Sequence, residues 1–407
     1  MRLPPSTELL YTHQPYVYNH EYPIVYLQII NTENKEMSMI PEEEKEEEKI
    51  EDVDESEEIL AYRYTITSYG ADYPVDGLVK RLNAGDIIVP TFDPTFKLED
   101  EIEAYQRQFI WTKRQCDRFI ESLLLGLPVP GIFLVKLDDG RFLVLDGQQR
   151  LRTLQCFYKG ILRDKEFVLE NVQKHLIGLK YETLDADRRI LDNSIIHATI
   201  VKQDEPSEDL SSIYLVFERL NTGGTTLHPQ EIRVALYRGG LINFLRDINN
   251  FKPWREIYGK KSNRFKDQEL ILRFFALLYW SDKYERPMKD FLNKYTAANR
   301  NFQIQNKDEL TKIFQQTIET IHKAFGNKAF RLTQTAALNA AVMDSIMVAI
   351  GERIRTDKPI KDIPKLKILY EELLKNKDFL FTVQKATTNE ENVKKRMKLA
   401  REIILKA

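Results

Sequence analysis

Cysteine is scarce in this chain. Its 407 residues contain two, Cys116 and Cys156, which excludes a disulfide scaffold, and their spacing suits no zinc motif. A reducing, cytoplasmic setting is expected. Long apolar runs are missing too. The nearest candidate, "FFALLYW" at 274–280, falls far short of the roughly 18 residues a membrane span needs, so no membrane partner is expected. The first thirty residues interrupt their apolar stretches with proline, tyrosine and histidine, where a signal peptide needs an unbroken run. Histidine is sparse, at 13, 20, 175, 197, 228 and 322. A metal-dependent nuclease centre needs several convergent ligands, and His322 alone lies in the C-terminal third. A P-loop is also lacking: "YGKKS" at 258–262 has no upstream glycine at the required spacing.

What is present is a chain able to build a core, with 43% hydrophobic and 30% charged residues. Its net charge of -2 hides an uneven spread. Residues 41–58, "PEEEKEEEKIEDVDESEE", carry twelve acids and two lysines, so the remainder is about +8. The run has no apolar periodicity. It reads as a solvated linker or, more sharply, as a DNA-mimicking or partner-docking tail. The basic remainder suits a phosphate-bearing partner.

Residues 1–40 look like one or two tyrosine-rich strands. From residue 62 the pattern tightens. "RYTITSYG" predicts a strand. "PVDGLVKRLNAGDIIVP" predicts a short helix ended by Gly85, then a strand. "TKRQCDRFIESLLLG" predicts a helix capped by Thr112 and stopped at Gly126, with Trp111 in the core. "GIFLVKL", "DDG" and "RFLVL" predict a hairpin, and Leu151, Leu154 and Phe157 mark a helix ending at Gly160, with Cys156 buried. "IIHATIVKQ" predicts another strand. Helix, loop and helix follow over 211–240, with Thr226 capping the second helix. Beyond 240 the signal is almost all helical. The last segment opens with Thr388 and Glu391 at capping-box spacing. The expected organisation is an N-terminal extension with an acidic linker (1–58), an α+β domain (59–240) and an all-α domain (241–407).

One cluster resists a purely structural account: "LVLDGQQRLRTL", 143–154, where polar residues follow an apolar strand directly. A strand-to-helix junction offers unpaired N–H groups and a positive dipole end to phosphate. Gly147 would let a ligand approach the backbone. Arg150 can fork onto phosphate oxygens, Gln148 and Gln149 can hydrogen-bond a base, a sugar or a water, and Asp146 can hold Mg²⁺ or orient that water. The alternative is an ordinary turn in which Asp146 caps the next helix. Three further segments are candidates: Gln106 and Arg107 before Trp111; Asn221 in "FERLNTGGTTLHPQE"; and Arg264 with Asp267 in "NRFKDQELILR", for which an exposed Arg264–Asp267 pair is the simpler account.

Taken together, "YQRQFIW", "ESLLLGLPVPGIFL", "FLVLDGQQRLRTL", "VFERLNTGGTTLHPQEIR" and "NRFKDQELILRF", in this order over about 60–280, resemble the domain of unknown function 262. This is the DGQQR-motif domain of GmrSD-type modification-dependent restriction enzymes and of the SspE and BrxU antiphage proteins. The resemblance implies a ParB/sulfiredoxin-like α+β fold. It also implies binding and hydrolysis of a nucleoside triphosphate with a divalent metal. Carried over residue by residue, it assigns catalysis to Asp146, Gln148, Gln149 and Arg150. It assigns phosphate binding to Gln106, Arg107, Gly147, Arg150, Arg219, Asn221 and Arg264, and metal binding to Asp146 and, more weakly, Asp267. DNA, a separate effector protein and a homo-oligomeric partner are the other partners it suggests. No histidine-centred nuclease motif follows, so DNA cleavage by this chain alone is not expected. The sulfiredoxin reaction would need a cysteine where glutamines stand. The alternatives are a nucleotide- or DNA-binding adaptor without turnover and, behind it, a degenerate nuclease.

Overall fold

The computed structural model describes residues 65–90, 111–205, 210–220, 227–333 and 335–407. The strands expected in 1–40 and the acidic run 41–58 lie outside these residues, as does the proposed cap Thr226.

Five strands form one mixed sheet in the order β1-β7-β3-β4-β2. They are β1 (Thr65–Pro74), β2 (Ile87–Ile88), β3 (Ile132–Lys136), β4 (Phe142–Asp146) and β7 (Ile195–Glu205). β1 runs antiparallel to β7 along its length, β3 lies parallel to β7, and β3 and β4 make the expected hairpin. A small β5–β6 hairpin (Ile161–Leu162, Lys165–Glu166) stands apart. Side chains alternate between the faces of the sheet. Val144 joins one buried cluster with Leu78, Ile120, Leu151 and Leu154. Its neighbours Leu143 and Leu145 join another with Ile213, Phe217, Ile232 and Leu236. Helices α1 (Val75–Asn83), α2 (Lys113–Leu124) and α3 (Gln148–Lys159) therefore cover one face, and α5 (Ser211–Leu220) and α6 (Pro229–Leu236) cover the other. A strand buried on both faces has to be apolar throughout. "FLVLD" is, until its last residue.

Helix α2 starts where predicted: Thr112 accepts from the Gln115 backbone N–H and Gln115 reaches back, a complete capping box. Leu151, Leu154 and Phe157 bury one face of α3, contributing on the order of 1.5–3 kcal/mol each. The helix stops at Gly160, in the left-handed conformation. Helix α4 (Ala186–Asn193) leads into β7.

The C-terminal half is helical and has its own apolar cluster. Helix α9 (Lys266–Trp280) is buried almost all round and packs against α12 (Ala340–Arg355). Around them lie α7 (Gly240–Ile248), α8 (Lys252–Tyr258), α10 (Met288–Ala298), α11 (Lys307–Phe325), α13 (Ile363–Leu373), α14 (Lys377–Gln384) and α15 (Glu390–Ile404). The α+β class is thus present, a mixed sheet followed by helices. Among the described residues no helix is long and apolar enough to cross a membrane.

Four local expectations are corrected. The cap of α15 is Asn389, accepting from the Glu391 N–H, and not Thr388. His228 caps α6. Cys116 is buried, but Cys156 is only half-buried, because its position on α3 turns it toward the edge of the apolar face. Trp111 is likewise half-buried, with its ring edge-on to Phe119 at 5.6 Å.

Candidate functional site

Asp146 is the last residue of β4, and α3 begins two residues later. The chain turns from strand to helix in one step, at Gly147, with φ +92°. That left-handed conformation costs other L-residues roughly 1–2 kcal/mol. A side chain is also excluded by space: a Cβ here would lie 3.0 Å from Ile132 Cβ, closer still to Ile132 Cγ2, and 3.3 Å from Arg150 Nη2. Glycine at 147 brings the α3 backbone hard against β3.

The helix has no side-chain cap. Asp146 does not bend over the first turn, which corrects the simpler reading of it. Its Oδ2 instead accepts from Arg150 Nη2 at 2.6 Å. The carboxylate is half exposed and the guanidinium nearly buried, at 49% and 12% of the side chain. Arg150 Nε is buried and has no hydrogen-bond partner. Arginine leaves a buried N–H unpaired at a cost of about 1–3 kcal/mol. The first-turn amides thus have no side-chain acceptor, and the guanidinium beside them is held by the Asp146 carboxylate.

Gln149 works through the backbone of its neighbour. Its Oε1 accepts from the Trp111 N–H at 3.3 Å, while Arg163 Nη2 donates to the Trp111 carbonyl at 2.9 Å. Arg152, almost fully buried, donates from Nη2 to the Pro90 carbonyl at 3.1 Å. Pro90 and Trp111 bracket the stretch that carries Gln106 and Arg107, so α3 holds both ends of it. Gln106 and Arg107 themselves lie outside the described residues, as does Asn221. Arg163 and Arg152 escaped the sequence reading; the only signal for Arg152 is a charged residue on an otherwise apolar face.

Arg219 is exposed in the last turn of α5, and α5 packs on the sheet face formed by Leu143 and Leu145 of β4. That is the face opposite the one where Val144 packs with Leu151 and Leu154 of α3, so the fold does not bring Arg219 to the Asp146 side of the strand. Arg264 and Asp267 do not pair with each other. Arg264 donates to Glu231 Oε2 from Nε at 3.2 Å and from Nη2 at 3.0 Å. Asp267 is fully buried, and its Oδ2 accepts from Arg255 at 2.7 Å, Asn249 at 2.8 Å and the Ser262 N–H at 3.3 Å. Its Oδ1 accepts from the Gln268 N–H at 3.0 Å. A carboxylate saturated in this way has no oxygen free for a metal, so the metal role suggested for Asp267 is withdrawn.

The "HPQEIR" element builds a junction between α6 and the helical half. Glu231 completes the capping box by accepting from the His228 N–H. Arg233, fully buried, donates to Asn293 Oδ1 at 2.9 Å, to Glu269 Oε2 at 3.1 Å and to Gln230. Burial holds the His228 imidazole below its ordinary range. Burial alone would raise Glu269, but His228 and the arginines outweigh it and keep the carboxyl low.

A mixed sheet covered on both faces, with a glycine-pinned polar turn at the end of a central strand, defines an α+β domain whose distinctive feature is the DGQQR turn. Residues 93–238 match the family model described as the GmrSD restriction endonuclease, N-terminal domain. The chain carries a domain of that restriction-type family over this span. No curated protein and no solved structure matches it.

Proposed function

We propose that the Asp146–Arg150 turn binds the phosphate tail of a nucleoside triphosphate and hydrolyses it to the diphosphate and phosphate. The turn would serve a restriction or antiphage-defence system in which nucleotide state is passed to DNA or to a partner effector. The observation that carries the reading is the junction at Gly147: a helix start without a side-chain cap, beside a nearly buried arginine whose Nε has no partner. An anion bound there would satisfy both.

In this reading the first-turn N–H groups and Arg150 take the phosphate oxygens. Gln106, Arg107 and Asn221 complete the phosphate-binding set. Asp146, relieved of Arg150 as the guanidinium turns to phosphate, orients the attacking water. Gln149 is anchored on Trp111, so Gln148, at the first helical position, is the glutamine that positions that water. Water adds to the γ-phosphorus, the β–γ bridging oxygen leaves with the diphosphate, and the proton of the water passes to phosphate or solvent. Mg²⁺, when bound, neutralises charge on the phosphate oxygens. Asp146 would hold it, and one carboxylate suffices because Mg²⁺ takes its remaining ligands from phosphates and water. Among the described residues no group of three or more metal-type side chains gathers anywhere.

Calorimetry with ATP and Mg²⁺ tests the reading. Arg150→Ala should lose about 10- to 100-fold in affinity, the equivalent of a charge-assisted hydrogen bond, with an unchanged circular dichroism spectrum. Unchanged affinity would overturn the assignment. Tight binding with no phosphate release would make the protein an adaptor for a separate nuclease.

A further inference from the structure

The positive charge left outside the acidic run collects at one end of the chain. Residues 353–407 hold fifteen lysines and arginines against eight acids. Several are neutralised locally. Arg401 forks onto Glu352 at 2.7 and 2.6 Å, Lys395 meets Asp378 at 2.6 Å, and Arg396 is buried beside Asp344. Lys358, Lys361 and Lys365 differ. All three are exposed, and among the described residues none stands in an ion pair. With Arg353 they line a groove of about 580 Å³.

The groove is held by backbone contacts and does not depend on the lysines. Arg353 donates from Nε to the Lys358 carbonyl at 3.0 Å and from Nη1 to the Ile404 carbonyl at 2.8 Å. It thereby ties the turn after α12 to the end of α15. The Lys358 N–H closes that turn on the Arg353 carbonyl at 2.8 Å. Lys361 and Lys365 stand on either side of Asp362, whose carboxylate is engaged by the Lys365 backbone N–H at 3.0 Å as the cap of α13. Asp357 is the other acidic side chain of the lining, so four cationic side chains face two acidic ones, beside the Ala407 oxygen that accepts from Arg353 Nη1 at 3.3 Å.

Such a lining selects an anion. Its apolar members are Pro359 and Ala407 alone, which leaves no pocket for the aromatic or aliphatic anchor that peptide recognition needs. Lysines on flexible stems act as point charges, and several of them along a groove fit a ligand whose charge repeats at short intervals. A nucleic-acid duplex, with one charge per roughly 1.7 Å of axis, is such a ligand. We propose that this groove contacts the phosphate backbone of a duplex, independent of base sequence, through Lys358, Lys361 and Lys365. The site lies outside residues 93–238 and needs no bound nucleotide, so it stands or falls separately from the hydrolytic reading.

The test is fluorescence anisotropy of the full chain with a short labelled DNA duplex of mixed sequence, over a series of salt concentrations. Wild type should bind and weaken as salt rises. The triple variant K358E/K361E/K365E should bind at least ~10-fold more weakly, with a salt slope flatter by about 0.9 for each phosphate no longer neutralised. Lys174→Glu, a single charge reversal at an exposed lysine outside the groove, should match wild type, Lys358→Glu alone should bind measurably more weakly than Lys174→Glu, and all four proteins should melt alike. Equal affinity of the triple variant and wild type would overturn the proposal. So would a wild type that ignores the duplex but binds polyglutamate or phosphatidylserine vesicles.

Discussion

Replacing Gly147 by alanine should damage the turn in two separable ways. The backbone there has φ +92°, and holding a Cβ in that region costs about 1–2 kcal/mol. The methyl group would also press into Ile132, with Cβ to Cβ at 3.0 Å, and overpacking of this kind costs about 1–3 kcal/mol. Together they predict that Gly147→Ala loses about 2–5 kcal/mol in urea unfolding. Ile132 is fully buried, so Ile132→Ala alone should cost about 2–5 kcal/mol. The double variant distinguishes the two terms. Removing Ile132 Cγ2 relieves the closest contact and leaves the backbone part together with the milder Cβ–Cβ contact. The double variant should therefore be more stable than the sum of the single losses by about 1–3 kcal/mol, the overpacking term. Strict additivity would show that Ile132 does not enforce the glycine. A Gly147→Ala protein within about 0.5 kcal/mol of wild type, the range of ordinary surface substitutions, would refute the geometric argument altogether.

Three other perturbations have defined outcomes. Asp344 lies fully buried, paired with Arg273 at 2.7 Å and with Arg396 at 3.4 Å; Asp344→Asn should cost about 3–5 kcal/mol, because it removes the buried charge that two guanidinium groups share, and chemical denaturation measures it. Asn389→Ala should destabilise α15 by about 1 kcal/mol while Thr388→Ala changes little, since Asn389 is the side chain that accepts the first-turn N–H. Burial holds the folded-state pKa of His228 below its unfolded value, so the unfolded chain binds more protons and this residue's contribution is complete above pH ~6.5 and declines as pH falls through the unfolded value toward the folded one; thermal melts from pH ~7 to ~5 should show that decline, and His228→Gln should flatten it.

Much of the sheet domain was legible because its signals are local. Thr112, Gly126 and Gly160 punctuate helices within a few residues of themselves, and the apolar periods of β4 and α3 identify elements without tertiary information. The turn at Asp146–Arg150 was legible for the same reason: an acid, a glycine and an arginine in register between a strand and a helix. What stayed hidden depends on partners distant in sequence. Arg264 and Asp267 are three residues apart and look like a pair, but their charges are met by Glu231 and by Arg255 and Asn249. Burial decided the outcome, since a fully enclosed carboxylate needs several donors and collects them from wherever the chain brings them. Arg163 and Arg152 act on the backbone of Trp111 and Pro90, and a backbone carbonyl leaves no trace in composition. The choice between Thr388 and Asn389 as a cap turned on a single residue of helix register, finer than periodicity resolves.

The central claim is that the Asp146–Arg150 turn performs chemistry on a nucleotide. Phosphate release from ATP, GTP, CTP and UTP with Mg²⁺, wild type beside Asp146→Ala and with or without duplex DNA, tests it most directly. The account predicts turnover with at least one nucleotide and its loss in the variant. Turnover undiminished in Asp146→Ala, or no release from any of the four by wild type, would contradict it.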